Sequence, residues 1–181
     1  RQIHRWTKQY KDSETQMIPE INELIEWLPK NIPSDQETSI VHGDFRLDNM
    51  IFDPITHEVK AILDWELSTL GNPIADFTYH MMSWRLPAGA KGLGMMGSDL
   101  KSLNIPSESE YAELYYKKTG REKIDNWDFY MAYNIFRLAG IAQGIVGRVR
   151  DGTASSSEAK NYEAFVPILG KLGWSIVEGI K

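Results

Sequence analysis

A mainly helical α+β domain with one small β element is the fold class that these 181 residues predict. Three observations lead there. Apolar residues recur at helical spacing through most of the chain. Three short runs rich in branched or aromatic residues, at 39–42, 49–53 and 59–63, interrupt that pattern and have the length of strands. Between the last two, Asp53-Pro54 stands where a tight strand-to-strand connection would fall.

Ile3, Trp6 and Tyr10 mark an amphipathic helix over 2–12. Pro19 suits a first helical turn, and Ile21, Leu24, Ile25 and Leu28 give the next helix one apolar face before Pro33. After Gly71-Asn72-Pro73, residues 73–84 read as helix, with Ile74, Phe77, Met81 and Trp84 on adjoining faces. Residues 85–106 are glycine-rich and aperiodic, which predicts a long loop of the kind that is often functional. Ser107 and Glu110 form a capping box for a helix to about Lys118. Asp125 is the expected cap of a long helix ending at Arg150, in which Gly140, Gly144 and Gly147 weaken propensity but permit close packing. A final helix is expected from Glu158 to Val177, kinked at Pro167. No internal repeat is present.

Composition narrows the function. An apolar share of 42%, a charged share of 25% and a net charge of −5 describe an ordinary globular chain without a dense basic block. That argues against a nucleic-acid partner. A polyphosphate ligand stays open, because a divalent cation and a few local basic groups can neutralise it. Cysteine is absent, so neither disulfides nor thiolate metal sites form, which fits a reducing, cytoplasmic setting. No apolar run approaches the roughly 20 residues of a bilayer span. The start, RQIHRWTKQYK, has no initiator Met and no signal-peptide core; it reads as an internal point of a longer chain, with any organellar address left open.

The chemistry gathers on the β element. Residues 41–49 read VHGDFRLDN and 62–66 read ILDWE, bringing Asp44, Asn49 and Asp64 to strand ends or the loop between. Clustered carboxylates repel unless a cation or proton lies between them. Phosphoryl transfer from ATP needs a carboxylate to take or orient the proton of the attacking hydroxyl. It also needs oxygen ligands to hold Mg²⁺ and a cation near the γ-phosphate. His42, Asp44 and Asn49 stand at the spacing of the kinase H-x-D-x-x-x-x-N loop, and Asp64 follows after one hairpin. His42 reads as a packed framework histidine. Arg46 has two roles open, phosphate contact or pairing with Asp48 or Glu66. Asp48 reads as a solvated acid, and Glu66 divides between metal support and surface. Asp76, near a helix start, reads as a buttress of the loop. Trp84, Tyr133 and Arg137 are candidates for an acceptor pocket, though helical packing explains the aromatics equally well. Neither His57 nor His80 has zinc spacing.

VHGDFRLDNMIF, AILDWELSTLGNPIAD and FRLAGIAQGI resemble the aminoglycoside phosphotransferase and choline kinase-like family. The branch they resemble is the kinase-like domain of acyl-CoA dehydrogenase family members ten and eleven and bacterial stand-alone relatives. RWTKQY and IPEINELIEWLPKNIP extend the likeness over nearly the whole chain. The resemblance implies a protein kinase-like fold, with Asp44 as catalytic base, Asn49 and Asp64 as ligands of Mg²⁺ (or Mn²⁺) and ATP as donor. It gives Arg46 a γ-phosphate role by analogy, since many members carry His there. His42 and Asp76 are structural support, and the acceptor is a small-molecule hydroxyl, such as a 4-hydroxy acid or its acyl-CoA thioester. Such a kinase also needs a glycine-rich loop and a strand lysine paired with a helix glutamate. Residues 1–38 contain no glycine. Residues 1–181 are therefore expected to be the C-terminal lobe alone, inactive without the N-terminal ATP-binding lobe of the same polypeptide. Two other readings compete: a kinase-like pseudoenzyme that only binds a partner, and a Mg²⁺ phosphohydrolase using the same acids.

Overall fold

The helical periodicity becomes six α-helices, and the β-like runs become four short strands, among the residues that the computed structural model describes: 1–34, 37–89, 94–154 and 157–180. In chain order they are α1 (Gln2–Ser13), α2 (Pro19–Trp27), β1 (Ser39–Val41), β2 (Met50–Phe52), β3 (Val59–Ile62) and β4 (Thr69–Gly71). Then come α3 (Pro73–Met81), α4 (Glu108–Thr119), α5 (Trp127–Arg150) and α6 (Phe165–Ile180). The chain divides into two units, Arg1–Ser34 with Asn126–Lys181, and Asp35–Asp125. None of the described helices is long and apolar enough to cross a membrane.

The first unit is all helix. Burial of Ile21, Leu24, Met131, Ile135, Phe136, Val166, Leu169 and Val177 gives it one apolar core. Each side chain of that size contributes about 1.5–3 kcal/mol when taken from water. The α1 helix lays Trp6 and Tyr10 into this core, and desolvation pushes the Tyr10 hydroxyl pKa up to about 12. Its contact with α5 is close enough that a Cβ on Gly147 would lie 2.7 Å from the Cβ of Ser13. Gln143 then fastens the end of α1, its Nε2 donating to the Ser13 carbonyl at 2.6 Å.

The second unit holds two separate antiparallel ladders. Strands β2 and β3 form the expected hairpin, Met50 opposite Ile62, with an irregularity between Ile51 and Phe52. Asp53 makes its turn by accepting the N–H groups of Ile55 and Thr56 at 2.9 Å, bonds that hold its carboxyl below the usual range. Strand β1 pairs instead with β4, Val41 opposite Thr69. This corrects the expectation of one β element. Thr69-Leu70-Gly71 is too short and too near a turn signal to read as a strand in the sequence. Asn72 caps α3, its Oδ1 accepting from Ile74 and Ala75, and Pro73 occupies the first turn. The Ser107–Glu110 capping box forms at the start of α4. Arg85 reaches from the loop to hold Glu108 through three hydrogen bonds of 2.7–3.0 Å.

Three further expectations change. The cap of α5 is Asn126, not Asp125, and it makes no side-chain cap bond. The stretch begun at Glu158 is a 3₁₀ segment, Ser157–Tyr162, and α6 starts only at Phe165. Pro167 consequently sits in the first turn of α6, where its missing N–H leaves no intrahelical bond broken. The loop at 85–106 contains a parallel bridge between Pro87 and Met96.

Because the atoms facing Gly147 are the Cβ, Cα and carbonyl oxygen of Ser13, not a movable side-chain tip, Gly147→Val is expected to destabilise the helical unit by about 1–3 kcal/mol. Urea unfolding followed by far-UV circular dichroism measures it.

Candidate active site

Every residue of the predicted catalytic set lies in the second unit. The loop leaves β1 at Val41 and returns through a 3₁₀ turn, Leu47–Asn49, into β2. Its entry is fixed from outside. In the first turn of α3, Asp76 Oδ2 accepts the His42 N–H and Oδ1 the Gly43 N–H, both at 2.9 Å. Gly43 itself has φ +84°, and a Cβ there would stand 2.7 Å from the Leu67 carbonyl oxygen, so glycine is required twice over.

His42 is buried and ties the loop to the end of β3. Its Nε2 donates to the Leu63 carbonyl at 2.8 Å, which leaves Nδ1 to accept the Asp44 N–H at 3.2 Å. Asn49 completes the connection. Its Nδ2 donates to the Asp44 carbonyl at 2.8 Å and to Asp44 Oδ2 at 3.2 Å, while its own carbonyl accepts the Leu63 N–H at 2.8 Å. Asp64, the next residue, is exposed and holds φ +62°, a left-handed conformation that turns the chain sharply into Trp65–Leu67. Asp44, Asn49 and the segment leading into Asp64 are thus joined by three hydrogen bonds.

Oxygen donors remain. With its amide nitrogen engaged by Asp44, Asn49 keeps Oδ1 as an acceptor, and the Asp64 carboxylate carries no ion pair among the described residues. Two such oxygens suit a hard cation that completes its shell with water and phosphate. No group of three or more His, Asp or Glu among the described residues could hold a metal unaided.

Arg46 pairs with Asp48, one of the partners its sequence position offered. Both side chains are substantially exposed, and such a pair is worth about 0–1 kcal/mol, little enough for a stronger anion to displace. Glu66 is exposed in the turn after Asp64. Trp84 belongs to the second unit and donates Nε1–H to the Pro106 carbonyl at 2.8 Å. Tyr133 and Arg137 belong to α5 of the first unit, where the Arg137 guanidinium lies over the Trp6 ring. The Asn72 cap and the ring contact between Phe45 and His80 are features that the sequence reading misses. The Asn-Pro pair before an apolar helical run signals the first; nothing local signals the second.

The profile of the "Phosphotransferase enzyme family" matches residues 1–114. The chain is 46% identical over 175 residues to "Acyl-CoA dehydrogenase family member 10" of Mus musculus, covering 96% of this chain and 16% of that protein. With "Acyl-CoA dehydrogenase family member 11" of Homo sapiens it shares 39% over 175 residues, covering 96% and 22%. A crystal structure of a candidate aminoglycoside phosphotransferase from Ralstonia eutropha JMP134 superposes with a TM-score of 0.93 at 49% identity, covering 98% of this chain and 54% of that one. The chain therefore spans about a sixth to a fifth of these curated relatives and about half of the bacterial protein.

The Asp76 carboxylate is an anchor with a measurable cost. Asp76→Ala leaves two N–H groups without their charged acceptor and is expected to destabilise the second unit by about 2–4 kcal/mol, with Asp76→Asn losing about half as much. Hydrogen exchange at the amides of His42 and Gly43, alongside urea unfolding, distinguishes this local release from global loss.

Proposed function

Because the chain belongs to the phosphotransferase enzyme family, we propose that it carries the catalytic loop of an ATP-dependent kinase acting on a small-molecule hydroxyl. The observation that carries this reading is the double engagement of Asn49, by its side chain to Asp44 and by its main chain to Leu63. In this reading Asp44 is the base. The Asn49 amide on Oδ2 turns the other carboxylate oxygen toward the acceptor hydroxyl, whose proton it takes. The acceptor oxygen attacks the γ-phosphorus, the bond from phosphorus to the bridging β-phosphate oxygen breaks, and ADP leaves with that electron pair. Asn49 Oδ1 and Asp64 would hold Mg²⁺ or Mn²⁺, which when bound offsets the charge of the phosphates. Arg46 exchanges Asp48 for the transferred phosphoryl group. His42 and Asp76 keep the loop in place without touching substrate.

The remaining lobe belongs to the same proposal. A glycine-rich loop and a phosphate-binding lysine come from another part of the polypeptide, so residues 1–181 act as the C-terminal lobe. Two observations support this. The R. eutropha protein is nearly twice as long as the matched region. Ile51, Phe52 and Val59 leave the β2–β3 hairpin 40–50% exposed on both its faces, whereas isolated hairpins are marginal in water. The acyl-CoA dehydrogenase names of the relatives favour a hydroxy acid or hydroxyacyl-CoA as acceptor.

ADP release by the full-length polypeptide, with MgATP and hydroxy acids, hydroxyacyl-CoAs, choline or kanamycin, tests the proposal. Asp44→Asn is expected to lower kcat by about 10²–10⁴. EDTA should abolish turnover, and Mg²⁺ or Mn²⁺ should restore it. Binding of MgATP without turnover on any acceptor would favour a pseudoenzyme, and no binding at all would sink the proposal.

A further inference from the structure

The helical unit has a cleft of its own. Helices α1 and α5 lie side by side in the same direction, Trp6 level with Gly140, Gln9 with Gly144 and Ser13 with Gly147. A cleft of about 470 Å³ follows their seam, within the size range of sites that hold a small molecule. Its charge is unbalanced. Arg5 and Lys8 from α1 and Arg148 and Arg150 from the end of α5 line it, against the carboxylates of Asp12 and Asp151. Four cations against two acids leave a surplus of two positive charges, in a chain whose net charge is −5.

The pairing shows where that surplus lies. Lys8 Nζ meets Asp12 at 2.5 Å and Arg150 Nε meets Asp151 at 2.8 Å, so each acid is answered. Arg150 also donates to the Glu14 carbonyl at 3.3 Å, just past the end of α1. Arg5 and Arg148 have no carboxylate partner among the described residues. The Arg5 guanidinium lies 5.2 Å from the centre of the Trp6 ring, a contact that orients it without cancelling its charge. Nor is Arg148 needed to cap α5, because the carbonyls of Gly147, Arg148 and Val149 already accept main-chain N–H groups from the turn that follows. Two guanidinium forks without partners suit phosphate oxygens. From the level of Trp6 and Gly140, Arg5 and Arg148 stand roughly 13 Å apart along the helix axes. Long side chains narrow that gap, and an anion charged at both ends reaches both where a single tetrahedral anion does not.

We propose that the cleft between α1 and α5 is a binding site for a small polyphosphate anion, with Arg5 and Arg148 as its contacts at either end. Gln9 lies between them; its Nε2 donates to the Gly140 carbonyl at 3.3 Å and keeps a second N–H for the phosphate chain. The cleft is built from both ends of the sequence, so the bound anion ties α1 to α5 and stabilises the folded helical unit by mass action. This site is independent of the catalytic reading of Asp44, Asn49 and Asp64.

The test is calorimetric titration of the full-length polypeptide with sodium tripolyphosphate, in EDTA so that no metal carries phosphate to the loop acids. Wild type is compared with Arg148→Gln, with the double variant Arg5→Gln/Arg148→Gln, and with Lys101→Gln, which removes the same charge from the second unit. Arg148→Gln is expected to weaken binding roughly tenfold, the equivalent of one charged hydrogen bond, and the double variant further. Lys101→Gln is expected to stay within about twofold of wild type, and orthophosphate to bind wild type at least roughly tenfold more weakly than tripolyphosphate. Tripolyphosphate is expected to raise the melting temperature of wild type but not of the double variant. An affinity of the double variant within about twofold of wild type, with its circular dichroism unchanged, would overturn the site. So would equal losses in Arg148→Gln and Lys101→Gln, which would reduce the effect to net charge, and so would wild type that neither binds tripolyphosphate nor is stabilised by it. Tighter binding of hexaglutamate than of tripolyphosphate would overturn the phosphate class in favour of an acidic peptide. Turnover tests the phosphotransferase reading separately, so the two fail independently.

Discussion

Two hydrogen bonds to one carboxylate set the geometry on which the site depends. Asp76 lies in the first turn of α3, a helix held by the Asn72 cap and by burial of Ile74, Thr78 and Met81. From that firm position it takes the N–H groups of His42 and Gly43. A loop rich in acids would otherwise be free to spread, since like charges gain by separation. Everything downstream follows from that fixed entry. His42 can reach the Leu63 carbonyl, Asp44 can present its N–H to His42, and Asn49 can close on Asp44.

Three non-glycine residues of the same unit, His57, Asp64 and Asn104, hold positive φ, and one of them stands among the acids. Asp64 holds a left-handed conformation that costs a non-glycine residue about 1–2 kcal/mol, less for aspartate than for most. Glycine would adopt it freely but would supply no carboxylate. A costly backbone angle kept at a polar, exposed residue is the pattern expected where side-chain chemistry outweighs local stability. The helical unit shows the opposite emphasis, with buried apolar side chains and close helix contacts throughout.

Much of this is legible in the sequence, and the reasons are specific. Helix starts with strong signals, Pro19, Pro73 and the Ser107–Glu110 box, appear where their chemistry puts them. The β2–β3 hairpin can be read because branched residues flank Asp53-Pro54. The pairing of β1 with β4 cannot, for three residues carry too little periodicity and their partner lies about thirty positions away. Pro167 reads as a kink because an apolar pattern does not reveal whether the preceding turn is α or 3₁₀. In the site, residue types and spacing are visible, but the bonds joining Asn49 to Asp44 and Leu63 depend on main-chain geometry. The ring contacts of His80 with Phe45, Trp84 and Tyr111 join segments that no local window contains together.

The division of the chain has a consequence for its biosynthesis. The helical unit is discontinuous, with α1 and α2 at one end of the sequence and α5 and α6 at the other. Contacts such as Gln9 to Gly140 therefore span 131 residues. On a translating ribosome the whole of the polar loop, its hairpin and α3 emerge before either closing helix exists. The acid-bearing unit must find its internal pairings while α1 still exposes Trp6 and Tyr10. Bringing the two ends together afterwards is a long-range step, slower than the local turns that precede it. Exposure of that α1 face during the interval is the point at which a nascent chain of this design most needs a chaperone.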